Sequence, residues 1–315
     1  MGMSSDWHHL LDFMRSHRGE PVALASLVAR EGSSYRQEGA RMLVSRDGRF
    51  GGSLSGGCLE EGIAGVAGKV LRDGMVRTES IDTRPHFGCP GTLTIRIERL
   101  EPDGLLDEVE KRVMQRKEFQ ITTNGSGSHL GTGEGFVEQV GPRPRLAVVG
   151  WTSDQDPVFK MAGLLGWQSH RIVRDQRMVG EVAAVAGERV ISCSGSELTS
   201  ILKPDAATAV LVMSHHMATD LAFLKAAVSG GYGYVGLLGS RRRRESLLAE
   251  LGDFGLLEND QWVERFHAPV GLDLGAEHPA TIALSVVAEI QAVFAGRAAG
   301  FLRDRIGTIH TVACA

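Results

Sequence analysis

The sequence predicts an α/β protein in two parts: an N-terminal α+β domain followed by a Rossmann-like, doubly wound parallel-sheet domain. Three observations carry that prediction. The chain has 315 residues and 43% hydrophobic residues, which exceeds the roughly 100–200 residues of a single domain and is ample for two cores. Gly141-Pro142-Arg143-Pro144-Arg145 reads as a linker, because paired prolines resist both helix and inner strand. Beyond it, continuous apolar runs alternate with helical segments, the pattern of parallel β-α-β units whose strands are buried on both faces. The domains are accordingly expected at 1–140 and 145–296, with a C-terminal tail at 297–315.

Taken in order, Trp7 to Arg18 reads as an amphipathic helix with Trp7, Leu10, Leu11 and Met14 on one face. Strand-like runs follow at Val22–Ala29 and Arg41–Ser45, then an Asp47-Gly48 turn and a short strand into Gly51-Gly52. Cys58 to Arg72 is expected to be helical, closed by Asp73-Gly74. Strands are expected at Met75–Asp82 and Thr92–Glu98, a helix at Leu105–Gln115, and a glycine-rich antiparallel segment at Phe119–Val140. After the linker, strands are expected at Leu146–Gly150, Gln168–Val173, Ala209–Met213 and Tyr232–Leu237. Helices are expected at Val158–Leu165, at Asp220–Val228 and from Pro279 onward, proline being favoured in a first turn.

Composition excludes several classes. A net charge of -4 makes no electrostatic case for nucleic acid. No apolar stretch reaches the roughly 18 residues of a membrane span, and the charged N-terminus does not read as a signal peptide. Cys58, Cys89, Cys193 and Cys314 are far apart without a C-x-x-C pair, which suits free thiols in a reducing cytoplasm more than a disulfide framework or zinc site.

Chemistry is expected in the glycine-bounded loops. Ser55-Gly56-Gly57-Cys58 places a thiol at a helix start, where the positive dipole end favours a thiolate and the glycines admit a ligand to the backbone. The plainer reading is a small cysteine filling a turn. Ser33, Ser34 and Arg36 lie in a polar loop suited to anion contacts. Gly88-Cys89-Pro90-Gly91 brings a second thiol into a turn, and the two cysteine loops would form a soft-ligand site if they converge.

In a parallel sheet, ligands bind beyond the carboxyl ends of the strands. The first such loop, Gly150-Trp151-Thr152-Ser153-Asp154-Gln155-Asp156, keeps only one of the three glycines of a dinucleotide fingerprint. Asp154 and Asp156 would repel a pyrophosphate there, so the loop speaks against ordinary NAD(P) binding. His215 could bind a ligand, act as a base or hydrogen-bond Asp220; alternatively, His215 and His216 cap the following helix. Gly239, Ser240 and Arg241 open a helix with four successive arginines, fitting a phosphate or pterin-type anion, or else a solvated basic face.

Several of these motifs occur in the order of a known family. Gly32-Ser33-Ser34 through Arg41-Met42-Leu43-Val44, Ser55-Gly56-Gly57-Cys58-Leu59-Glu60, the Gly88-Cys89 turn, Tyr234 to Arg241, Ala268 to Ala276 and the closing Pro279 to Ile290 together resemble the xanthine dehydrogenase accessory factor (XdhC/CoxI) family. The resemblance implies a maturation factor that binds molybdenum cofactor (molybdopterin). It also implies work with a cysteine desulfurase during sulfuration and delivery to a molybdenum hydroxylase apo-enzyme. Carried over by position, Cys58 is the candidate ligand to the metal or sulfur-handling thiol, and Gly56 and Gly57 shape its loop. Such a factor is expected to be a cofactor chaperone more than a stand-alone enzyme, and a homodimer is in keeping with accessory proteins of this kind. The chain departs from the family at Gly150-Trp151-Thr152-Ser153, where a glycine-rich turn is usual, and at Pro90. Alternative readings are an NAD(P)-dependent oxidoreductase on the Rossmann-like domain and a non-catalytic docking protein.

Overall fold

The computed structural model describes residues 6–32, 34–57, 59–84, 91–181, 184–253 and 264–306. The chain divides into two compact units between Pro142 and Arg143.

The first unit runs α1 (Asp6–Ser16), β1 (Val22–Gly32), β2 (Arg41–Val44), β3 (Phe50–Gly52), α2 (Glu60–Asp73), β4 (Arg77–Asp82), β5 (Gly91–Leu100), α3 (Leu105–Met114), β6 (Phe119–Asn124), β7 (Gly127–Leu130) and β8 (Phe136–Val140). Five strands form an antiparallel sheet in the order β3-β2-β1-β5-β4. Strand alternation sends Ala25 and Leu27 to one face, where Ile63, Ala67 and Val70 of α2 cover them. Leu24 and Leu43 face the other way, against Trp7 and Leu10 of α1, Val109 of α3 and Ile121 of a small β7-β6-β8 sheet. Two registers position the loops. Gly32 pairs with Gly91, and Met42 pairs with both Ala25 and Gly52. The connections that follow β1, β3 and β4 therefore all leave one end of the sheet.

The second unit runs β9 (Arg145–Val149), α4 (Asp156–Leu164), β10 (Gln168–Val173), α5 (Met178–Glu181), β11 (Glu188–Ser192), α6 (Leu198–Ile201), β12 (Thr208–Val212), α7 (Met217–Gly230), β13 (Tyr234–Leu237), α8 (Arg241–Asp253), β14 (Phe266–His267) and α9 (Pro279–Phe294). All six strands are parallel in the order β11-β10-β9-β12-β13-β14. Renumbered within the unit, that order is 3-2-1-4-5-6, the arrangement of dinucleotide-binding sheets, with its switch point beside β9. The run Leu146–Val149 is apolar throughout because both faces are covered. Ala147 and Val149 meet Phe223 of α7 and Leu247 of α8, while Leu146 and Val148 meet Phe159 of α4 and Val286 of α9.

Two differences from the sequence reading have clear causes. The helix expected from Cys58 begins at Glu60, because the preceding backbone turns back onto that residue's carboxylate. It closes at Gly74, whose φ of 72° and N–H to the Val70 carbonyl make a left-handed cap. Strand β11 carries no apolar alternation, since it lies at the sheet edge and is only half-buried. Just after it Cys193 packs into the core, where burial pushes its thiol up to about 11. That cysteine is an inert filler. No helix among the described residues is long and apolar enough to cross a membrane.

Candidate functional site

The glycine loop between β3 and α2 is built around a residue that motif reasoning passed over. The Glu60 carboxylate is 3% exposed and accepts six hydrogen bonds from the loop that precedes it. One oxygen takes the Ser53 hydroxyl at 2.8 Å and the Leu54 and Ser55 N–H groups at 2.9 Å. The other takes the Ser55 hydroxyl at 2.9 Å and the Gly57 and Leu59 N–H groups at 3.0 Å. The Gly56 N–H donates to the Ser53 hydroxyl at 3.0 Å. Burial alone would raise this acid, but the Ser55 N–H, the Ser53 and Ser55 hydroxyls and the Leu54 N–H outweigh it and hold the carboxyl at about 2. The anion that this nest binds is thus supplied by the chain itself.

That arrangement changes the expected chemistry. The N–H groups of residues 54–57 and 59 are already committed, so they are closed to a phosphate, and an ionised carboxylate already sits at the positive start of α2. The loop is left with an exposed Gly56-Gly57 backbone beside the exposed Tyr35 ring. Cys58 lies outside the described residues, as do Ser33 and Cys89. Ser34 is half-buried. Arg36 is not free for a ligand: its guanidinium meets both oxygens of Asp6 at 2.5 Å.

Gly56 (φ 84°) and Gly57 (φ 113°) hold left-handed conformations. A Cβ at Gly56 would stand 2.9 Å from the Tyr35 ring, but that ring is 69% exposed and can swing aside. Backbone strain therefore dominates, and Gly56→Ala is expected to cost about 1–2 kcal/mol. Thermal unfolding measures it. Adding Tyr35→Ala should restore little, and full restoration would show that the ring, not φ, sets the cost.

In the second unit, the first strand–helix turn is closed by the chain's own side chains. Gly150 (φ 140°) has no room for a Cβ, which would stand 2.0 Å from the Gln155 amide nitrogen. Gln155 is fully buried; it donates to the Met213 carbonyl at 3.2 Å and accepts from Arg171 at 3.0 Å. Arg171, 1% exposed, also pairs with Glu188, meets Asp156 at 2.8 Å, and lies 4.6 Å from the Phe159 ring centroid. The place where a glycine fingerprint would admit a pyrophosphate is filled by this group.

Across the switch point, the two histidines take separate tasks. His215 holds φ 59° and bonds Asp154 at 3.0 Å, not Asp220. His216 caps α7, its Nδ1 accepting the Thr219 N–H at 3.4 Å. Buried Asp220 is taken by the Ser214 hydroxyl and by Arg243 at 2.5 Å, and Arg243 also donates to the His215 carbonyl at 3.2 Å. One of the four arginines thus opposes the α8 dipole because a carboxylate from α7 holds it. Gly239 leaves space for its stem, since a Cβ there would stand 2.8 Å from Arg243 Cδ. Ser240 caps α8 through the Arg243 N–H at 3.3 Å, and Arg241 is exposed. Among residues not anticipated, Glu60 had the clearest signal: an acid in the first turn behind a run of serines and glycines.

Fold and site together define a class: a two-unit protein that joins a parallel sheet in dinucleotide-binding order, its pyrophosphate seat filled, to a unit whose glycine loop encloses a buried carboxylate. The chain belongs to the XdhC and CoxI family. The profile of that family matches residues 16–82, and the profile of the XdhC Rossmann domain matches residues 146–290. The chain is 27% identical to a probable xanthine dehydrogenase subunit of Bacillus subtilis (strain 168), over 90% of this chain and 96% of the relative. It is 29% identical to the molybdenum cofactor insertion chaperone PaoD of Escherichia coli (strain K12), over 87% of this chain and 84% of that protein. A crystal structure of a xanthine dehydrogenase from Bacillus halodurans superposes with a TM-score of 0.74 at 25% identity, covering 93% of this chain and 97% of that one.

Proposed function

We propose that this protein is a maturation factor for a xanthine dehydrogenase- or CO dehydrogenase-type molybdenum hydroxylase. It binds molybdenum cofactor as cargo, assists its sulfuration in concert with a cysteine desulfurase, and inserts it into the apo-enzyme. Support comes from the relationship to PaoD across both units. The observation that carries the reading is the loop at residues 53–60. The N–H groups of residues 54, 55, 57 and 59 are consumed by Glu60, so what this stretch leaves for a visitor is a glycine-lined approach, with Cys58 next to Gly57 in the sequence as the thiol we assign to it. A thiolate is a soft ligand suited to a molybdenum or sulfur centre, whereas a nest with open N–H groups would suit a phosphate. The filled turn at Gly150 weighs against an NAD(P)-dependent oxidoreductase, because Gln155, Asp154 and Asp156 stand where the pyrophosphate would rest.

The test is purification after co-expression with a molybdenum source, with pterin and metal counted per chain in wild type and Cys58→Ala. Wild type should carry cofactor, and the variant should lose roughly tenfold or more of it, the ratio that corresponds to about 1.4 kcal/mol. Equal content in the two would remove the thiol from the site. Turnover by the isolated protein would replace the chaperone reading with an enzymatic one.

A further inference from the structure

Two loops of the first unit meet at one end of its sheet, and their contact is aromatic. Tyr35 lies in the connection after β1, and Gly56 in the connection after β3. A Cβ on Gly56 would stand 2.9 Å from Tyr35 Cε1, 3.0 Å from Cδ1 and 3.5 Å from Cζ, so the ring rests directly on the glycine backbone. Next to it, Gly57 opens onto free space: among the described residues nothing lies within 4 Å of where its Cβ would be. The backbone under the ring is braced on several sides. Arg36 is fixed on Asp6, the Glu38 carboxylate accepts the Arg30 N–H at 3.2 Å, and the Gly39 N–H donates to the Leu27 carbonyl at 2.8 Å. The ring itself stays mostly in solvent, so burial gives it little reason to be there. Polar recognition is closed at this place, because Glu60 and the Ser53 hydroxyl already take the N–H groups of residues 54–57 and 59. What remains is a positioned aromatic ring beside a floor without side chains.

We propose that Tyr35 is a stacking platform for the flat heteroaromatic ring of the cargo's pterin, laid over Gly56 and Gly57 in the first unit. The proposal rests on the maturation reading for the identity of the ring, and on the contact between Tyr35 and Gly56 for its place. Stacking a heterocycle on an aromatic side chain is worth about tenfold in affinity. A ring carried on a braced loop also loses little freedom when the ligand arrives. Glycines at 56 and 57 leave clearance that any side chain would take. The same loop suits no phosphate, since its N–H groups are spent, so the ring and the phosphate of one ligand are held by different groups.

Neopterin, a fluorescent pterin without metal or phosphate, is the probe, titrated into the full chain by equilibrium dialysis. Wild type should bind it saturably. Tyr35→Ala should bind about tenfold more weakly and, because the ring is exposed, should melt as wild type does. Tyr35→Phe and Tyr35→Trp should stay within about twofold of wild type, since each presents a π-face. Excess inorganic phosphate should not displace the probe. No binding to wild type, equal binding to Tyr35→Ala, or displacement by phosphate would each overturn the platform. A Tyr35→Phe protein as weak as Tyr35→Ala would overturn it too, and would assign the contact to the phenol hydroxyl. The probe carries no molybdenum, so this result and the cofactor content of Cys58→Ala fail separately. If neopterin does not bind but cofactor still co-purifies, the platform falls and the maturation reading stands. Neopterin binding that depends on Tyr35, in a chain that never acquires cofactor, keeps the platform and removes the reading.

Discussion

Glu60→Gln should unfold the first unit more easily by about 3 kcal/mol at neutral pH, the free energy that corresponds to a carboxyl held at about 2 instead of 4.5. The substitution preserves shape and volume. It removes the charge on which six donors converge and turns an amide NH2 toward N–H groups that need an acceptor. The effect has a pH signature. A carboxylate whose pKa is depressed by folding contributes stability that is fully present above its unfolded value, 4.5, and is lost as pH falls toward about 2. Wild type should therefore weaken through that window. The variant should already be weak at pH 7 and lose less on acidification. Urea unfolding of both proteins at several pH values measures this, and parallel curves would mean that Glu60 contributes nothing specific.

The second large effect is expected at Arg171. Burial opposes its charge, but Glu188 and Asp156 outweigh that cost and raise its pKa. Arg171→Met leaves Glu188, itself fully buried, with no countercharge, and should cost about 3–5 kcal/mol. It also frees Gln155 and Asp156, so the turn at Gly150 loses its filling. Adding Glu188→Leu removes the stranded carboxylate and should recover more than half of the loss, because an apolar replacement of a buried pair is often tolerated. Denaturant unfolding followed by circular dichroism gives the three free energies. A double variant as unstable as the single one would show that packing around Phe159, not charge pairing, sets the cost.

Much of the architecture was legible from local pattern. The apolar run at Leu146–Val149 predicted a strand covered on both faces, and Ala147 and Val148 meet opposite cores. The chain divides between Pro142 and Arg143, inside the stretch that carries the two prolines. Strands β11 and β14 escaped because one is half-exposed at an edge and the other has two residues, too few to show a period. The glycines marked the loops read as candidate sites, yet the charges within them were not resolved. Arg36 and Arg243, read as anion ligands or a solvated face, are held by Asp6 and Asp220, which lie 30 and 23 residues away.

Periodicity, prolines and the ordered motifs were enough to establish the two-part fold class and the family, since those signals are local and survive in the chain as written. They could not reveal where each polar group finds its partner. Whether the glycine loop receives an anion or already holds one depends on a carboxylate turned backward from the first helical turn. Whether the Rossmann turn is open depends on Gln155, Arg171 and Glu188 meeting from separate elements. Such pairings are decided by desolvation and geometry in the folded core, where an unsatisfied donor or charge is costly.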